Sequence, residues 1–136
     1  MTAAQFAVRT ALVLALFTAI ALATPSAARA HARMVRSSPA KDAQLAQAPG
    51  QVDIWFNELL DEGFNSIDVF AATDVDASHR TGLQKGAAVL DANDRTHLSV
   101  GVQPLPPGEY VVEWRVLSRD GHSAPGRFRF RVRGPH

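Results

Sequence analysis

The chain contains no cysteine, and this absence excludes several kinds of chemistry together. Disulfides, zinc sites built on thiolates, iron–sulfur clusters and cysteine nucleophiles all require a thiol. Methionine is scarce as well: one of the two residues starts the chain and the other is Met34. A domain of about 100 residues is small, but it can fold on an apolar core without such cross-links.

Acidic residues are missing from the first thirty positions, where the charged residues are Arg9 and Arg29. Of the 14 basic and 13 acidic residues in the chain, the remaining 106 positions therefore hold 12 basic and 13 acidic, a net charge of −1. This balance gives no electrostatic basis for nucleic-acid binding. A hydrophobic content of 46% favours a packed core over disorder.

Residues 1–30 have the pattern of a cleaved secretory signal peptide. The apolar run Ala11–Ala23 has 13 residues, interrupted by Thr18, whereas a membrane span needs about 20. Small residues at both ends of Ala28–Ala30 form a cleavage site, which predicts a mature, exported domain of residues 31–136. The alternatives are an uncleaved membrane anchor or cleavage elsewhere, for example after Ala28.

Cleavage after Ala30 would make His31 the first residue of the mature protein. A free α-amine has a pKa near 7.7–8.0, so a metal can displace its proton at neutral pH. The amine and Nδ1 of one histidine can then close a six-membered chelate ring around a metal ion. The alternative is that His31 only marks the end of the signal.

Alternating apolar residues predict a series of short strands in the mature domain. The predicted strands are Val52–Phe56, Ser66–Phe70, Thr96–Val102, Glu109–Leu117 and Arg127–Arg133. Residues 71–90 are expected to be loop with at most one weak strand, and Ala43–Gln47 could form one helical turn. Strands at this spacing predict an all-β antiparallel sandwich or Greek-key barrel.

The last strand places four arginines on one face: Arg127, Arg129, Arg131 and Arg133. The favoured interpretation is a solvated sheet face that also protects an edge from aggregation. The alternative is a docking face for an anionic partner.

Asp120 and His122 follow the Glu109–Leu117 strand and are two residues apart. In extended backbone both side chains would leave the same face, where a carboxylate and an imidazole can bind one metal ion. For these residues in isolation the favoured interpretation is a structural loop, because Asp-Gly is a common turn dipeptide.

Several segments together resemble the CopC family of periplasmic copper-binding proteins, in order over essentially all of residues 31–133. They are His31, Val35–Ala40, Val52–Glu58, Pro107–His122 and Gly126–Phe130. The stretch Trp114–His122 is the most specific of them. The resemblance implies a small Greek-key β-barrel of the cupredoxin-like, or immunoglobulin-like, type.

The resemblance also implies a type-2 site holding one Cu(II) per chain. His31 would supply its amine and Nδ1, His122 a ring nitrogen and Asp120 an oxygen. Three nitrogens and one oxygen in a tetragonal plane suit Cu(II), which binds most strongly among the divalent first-row metals. Glu58 matches a family glutamate near the copper and is assigned an axial or ligand-orienting role, with an exposed strand-end carboxylate as the alternative.

One departure from the family concerns soft ligands. Some members carry a methionine-rich loop that provides a Cu(I) site, but the corresponding Ala71–Arg80 contains no methionine. Without sulfur ligands no Cu(I) site is expected. His79, His97 and His136 show no partner pattern and are left outside the predicted site.

The predicted function is that of a monomeric, non-catalytic carrier of Cu(II) in the periplasm, serving copper homeostasis or resistance. The resemblance implies that it delivers copper to a separate CopD-like inner-membrane protein. One alternative is an oxidative enzyme with a histidine brace, like the lytic polysaccharide monooxygenases. Another is an immunoglobulin-like interaction module in which the histidine is incidental.

Overall fold

The computed structural model describes residues 31–134. The predicted signal peptide and His136 lie outside the described residues. No helix in the described part of the chain is long and apolar enough to cross a membrane.

Eight strands and one short 3₁₀ turn, Ala72–Asp74, make up the regular structure of residues 31–134. The strands are β1 Met34–Ser38, β2 Gln44–Leu45, β3 Gln51–Phe56, β4 Ser66–Ala71, β5 Gln84–Leu90, β6 His97–Val102, β7 Gly108–Leu117 and β8 Ser123–Val132. They form two four-stranded sheets, in the orders β1-β3-β6-β5 and β2-β8-β7-β4. The predicted all-β sandwich is confirmed.

The core lies between the two sheets and is formed by every second residue of the central strands. The residues of these strands in the core include Val52, Ile54, Phe56, Ile67, Val69, Leu98, Val100, Val102, Tyr110, Val112, Trp114, Val116, Phe128, Phe130 and Val132. Period-2 burial is the expected result for strands with one face in the core. Burial of this apolar surface is the main driving force of the fold.

The hairpin of β7 and β8 is the longest pairing in the described chain, with partners running from Gly108–Val132 to Leu117–Ser123. Trp114 lies opposite Gly126, and its ring occupies the space that a side chain at position 126 would need. A Cβ built on Gly126 would come within 2.1 Å of Trp114 Cζ2. Glycine is therefore required there by the close approach of the indole.

Of three local features, one prediction was wrong, one strand was not predicted, and one weak strand is confirmed. The helical turn expected at Ala43–Gln47 is absent from the described structure, because Gln44 and Leu45 instead form β2, which pairs in parallel with β8. Met34–Ser38, which lacks alternation, forms the edge strand β1. The weak strand allowed within residues 71–90 is the edge strand β5, whose pairing with β6 is irregular around Gly86 at φ +74°.

The arginine row on β8 is exposed, and shared carboxylates partly neutralise it. Glu109 accepts hydrogen bonds from Arg129 at 2.9 Å and Arg131 at 2.8 Å, and these arginines lower the pKa of Glu109 below its usual range. Glu113 lies 3.7 Å from Arg127. The row is thus a solvated, ion-paired face. From Arg129 onward, the backbone of β8 is hydrogen-bonded to β2 or to the turn before β2. These arginines therefore do not lie on an open sheet edge.

A second apolar patch lies outside the main core, on the outer face of the sheet that contains β4 and β7. Phe70 and Val111 face each other there and are buried. The Arg80 guanidinium lies 4.6 Å above the Phe70 ring and donates to Glu113 and to the Val75 carbonyl. Arg80 therefore ties residues 72–83 to the outside of the sheet.

The packing of Trp114 on Gly126 predicts a large effect of one added methyl group. Gly126→Ala should lower the free energy of unfolding by about 1–3 kcal/mol, because the new Cβ overpacks the core and forces the indole to move. Chemical denaturation measures the change. Gly50→Ala is the matched control, since nothing lies within 4 Å of a Cβ there. Equal stability of the two variants would contradict this account of Gly126.

Candidate metal centre

The loop that joins β7 to β8 carries two of the predicted ligands, Asp120 and His122. The Ser118 N–H donates to the His122 carbonyl at 2.9 Å, and the Gly121 N–H donates to the Ser118 carbonyl at 2.9 Å. Gly121 has φ +86°, a conformation that favours glycine. The backbone is thus a tight turn, as the Asp-Gly dipeptide favoured, and the extended backbone considered for Asp120–His122 does not occur.

The turn nevertheless brings Asp120 and His122 together. The His122 N–H donates to Asp120 Oδ1 at 3.1 Å, and His122 Nδ1 lies 3.1 Å from Asp120 Oδ2. The backbone N–H and then the ring of His122 hold the pKa of Asp120 below its usual range, and His31 lowers it further. Asp120 is therefore an anionic oxygen donor at neutral pH. With Nδ1 engaged, His122 has Nε2 free for a metal.

The N-terminal segment places His31 beside this loop. The ring centroids of His31 and His122 are 5.8 Å apart at an angle of 87°. Ala32 is buried in the core, and Arg33 is held by Asn57 through two hydrogen bonds, from the Arg33 N–H to Asn57 Oδ1 at 2.7 Å and from the Asn57 N–H to the Arg33 carbonyl at 3.0 Å. These contacts anchor the segment just after His31, while His31 itself stays exposed.

The donor set of this end of the sandwich fits Cu(II). Imidazole nitrogens with a carboxylate suit divalent copper, and each Asp120 oxygen keeps a further lone pair beside its contact with His122. Within residues 31–134 no three His, Asp or Glu side chains already converge in metal-binding geometry. The prediction adds the His31 amine, a fourth donor that requires cleavage after Ala30.

Glu58 lies at the base of the same loop, and Ser118 holds it there. The Ser118 hydroxyl donates to Glu58 Oε1 at 2.6 Å. Ser118 also forms a β-bridge with Leu60, which links the chain after β3 to the end of β7. Glu58 is only partly exposed, so it is not a free strand-end carboxylate.

The histidines left outside the site lie elsewhere. His79 is exposed in the segment that follows β4, and its described polar neighbour is Ser78. His97, expected to lack partners, has two: its Nε2 is 2.8 Å from Asp53, and its Nδ1 is 3.4 Å from Asp91. It also stacks on Trp55 at 4.4 Å. Both ring nitrogens of His97 are therefore occupied by neighbouring carboxylates.

Sequence reasoning missed Asn57 and Ser118, which support the predicted ligands without being ligands. Asn57 follows a predicted strand, where an amide is unremarkable. The sequence did hold one signal for Ser118. It continues the row of inward-facing residues of β7, where the other side chains are apolar and a polar residue is unexpected. Nothing local in the sequence pairs it with Glu58, which is 60 positions away.

Residues 34–133 match the CopC domain family. The chain is 35% identical over 111 residues to the copper transport protein CutJ of Bacillus subtilis, covering 79% of this chain but only 19% of that longer relative. It is 30% identical to copper resistance protein C of Pseudomonas syringae pv. tomato, covering 78% of this chain and 83% of the relative. The crystal structure of CopC from Methylosinus trichosporium OB3b superposes with a TM-score of 0.66 at 28% identity, covering 76% of this chain and 94% of that one.

The anchoring of Arg33 by Asn57 predicts a local loosening when the amide is removed. Asn57→Ala should lower the hydrogen-exchange protection of the Arg33 amide by about two- to tenfold, as expected for the loss of one hydrogen bond worth about 0.5–1.5 kcal/mol. Exchange measured by NMR tests this. Asn93→Ala, in the exposed turn after β5, is the control and should leave Arg33 unchanged. Unaltered protection in Asn57→Ala would show that other contacts hold the segment.

Proposed function

Because the chain belongs to the CopC family, we propose that it binds one Cu(II) ion per chain and carries or sequesters it in the periplasm, as a monomer serving copper homeostasis or resistance. The observation that carries this proposal is the position of His31 next to the paired Asp120 and His122, at one end of the sandwich. The relatives named for copper transport and copper resistance support the metal.

The proposed ligands come from two parts of the chain, the start of the mature protein and the hairpin loop. His31 would chelate copper through its α-amine and Nδ1, which requires removal of residues 1–30. His122 would add Nε2, because its Nδ1 faces Asp120. Asp120 would complete the plane with an oxygen whose lowered pKa keeps it ionised. Three nitrogens and one oxygen give the tetragonal set that Cu(II) prefers.

The exposure of the proposed ligands favours a carrier. The side chains of His122 and Asp120 are 50% and 48% exposed, so a receiving protein can reach the ion directly. The family resemblance leads us to propose a separate, CopD-like inner-membrane protein as the partner that takes the copper.

The described surface supports a carrier over a polysaccharide-oxidising enzyme. Stacking on sugars needs exposed aromatic rings, but in residues 31–134 Phe64 is the sole fully exposed one. Trp55 is covered by Arg36 and His97. Asp120 would also fill a coordination position that oxygen activation needs open. Ascorbate-dependent oxidation of chitin or cellulose above the free-copper background would overturn this assignment.

The N-terminal chelate makes copper binding depend on the exact start of the mature chain. Protein that begins at His31 should bind one Cu(II) with a tetragonal nitrogen–oxygen EPR signal. The same protein extended by one alanine should bind at least about tenfold more weakly and with a changed signal. In that form the terminal amine belongs to the alanine, so His31 cannot chelate the ion through its own amine and Nδ1. Titration on mass-verified samples measures both. Equal binding by the two forms would place copper elsewhere, and absence of binding would remove the copper function.

The two ligands of the hairpin loop can be tested separately from folding. His122→Ala and Asp120→Ala should each weaken Cu(II) binding by at least about tenfold, the lower range found even for residues that only support metal ligands. Their melting temperatures should stay close to that of the parent, because both side chains are exposed. His79→Ala is the matched control for an exposed histidine. Parent-like copper binding by both loop variants would show that the proposed ligands are wrong.

A further inference from the structure

Ser118 is unusual because it is polar and fully buried. Its relative exposure is 1%, and it is the single polar residue in the buried class among residues 31–134. A buried hydroxyl is costly unless it is hydrogen-bonded. The partner of this hydroxyl therefore indicates what the residue does.

All three polar groups of Ser118 form hydrogen bonds with Glu58 or with residues of the hairpin loop. The hydroxyl donates to Glu58 Oε1 at 2.6 Å, the backbone N–H donates to the His122 carbonyl at 2.9 Å, and the carbonyl accepts from the Gly121 N–H at 2.9 Å. The backbone contacts close the hairpin loop, and the side-chain contact attaches Glu58 to it. Ser118 thus joins the loop to a carboxylate that comes from a distant part of the chain.

We propose that Ser118 is a positioning residue of the copper centre: its hydroxyl holds the Glu58 carboxylate against the loop that carries Asp120 and His122, and thereby favours Cu(II) over Cu(I). This inference rests on the proposed function and extends it to the selection of oxidation state. The inference concerns Ser118 and Glu58, whereas the proposed ligands are His31, His122 and Asp120. It can therefore be wrong even if the protein binds copper at the proposed ligands.

The physical basis is the fixed negative charge. The interaction of a charge with a dication is twice that with a monocation at the same distance. With Ser118 donating to Oε1, the carboxylate of Glu58 is held in one place at the base of the loop, so that its charge acts from a fixed position on an ion bound by that loop. Without the hydroxyl, Glu58 is free to turn toward solvent, since no other hydrogen bond to its side chain occurs in the described structure.

Ser118→Ala removes the hydroxyl, and Glu58→Gln removes the charge at nearly constant shape. Each should lower Cu(II) affinity by about tenfold, the lower end of the range for residues that support metal ligands. Cu(I) affinity, measured with a colorimetric Cu(I) chelator, should fall by about threefold, half of the change in log units, because the monocation feels half of the interaction. The reduction potential of the bound copper should therefore rise by about 30 mV, since about 59 mV corresponds to each tenfold by which the loss of Cu(II) affinity exceeds the loss of Cu(I) affinity. Both variants should show the same altered EPR signal.

The double variant Ser118→Ala/Glu58→Gln distinguishes positioning from general structural support. If Ser118 acts through Glu58, the double variant should bind Cu(II) like Glu58→Gln alone. Ser123→Ala is the matched control, because Ser123 is exposed at the start of β8. It should behave like the parent in affinity, EPR signal and potential.

Three outcomes would overturn the proposal. Ser118→Ala could keep the parent's potential and EPR signal, or its loss of affinity could add in full to that of Glu58→Gln, or Glu58→Gln could leave the potential unchanged. The last test needs only the Glu58 variant and so remains available if Ser118→Ala does not fold. Failure of the parent protein itself to bind Cu(II) would instead reject the proposed function, and this inference with it.

Discussion

The register between β7 and β8 is the constraint on which the candidate site depends. Their pairing continues without a shift to Leu117 and Ser123, which leaves only residues 118–122 to close the hairpin. A slip of one residue would exchange the inner and outer faces of a strand. It would turn the arginine row toward the core, and it would separate Trp114 from the glycine on which it packs. The packing that fixes this register therefore also fixes where Asp120 and His122 meet.

The site combines firm supports with accessible donors. Buried or hydrogen-bonded residues, namely Ala32, Asn57 and Ser118, hold the N-terminal segment and the hairpin loop in place. The donor side chains themselves reach solvent, as the half-exposed Asp120 and His122 show. Backbone segments that are already held in place reduce the entropy that binding must overcome, whereas exposure of the proposed donors leaves a path for ligand exchange. This division of roles suits the proposed function, in which the protein binds an ion and later releases it to a partner.

Much of the fold could be predicted from sequence because the central strands bury every second side chain. Edge elements could not: β2 has two residues and depends on β8, a tertiary contact that no local pattern reports. For the candidate site, the sequence indicated a loop that carries Asp120 and His122, but not how the two side chains meet, because that depends on the turn at Gly121. Pairings such as His97 with Asp53, 44 positions apart, arise only from strand register.

The segment of residues 72–83 has a consequence for how such a domain can diversify. It is tied by Arg80 to the outer face of one sheet, over Phe70, and Leu83 at its end packs against the core between the sheets. Because surface segments tolerate replacement when the sheet beneath them is kept, this stretch behaves as an exchangeable module. A replacement segment with thioether side chains between β4 and β5 would give the same scaffold a second metal site with softer ligands. Evolution or engineering could then vary this site and the proposed Cu(II) site independently.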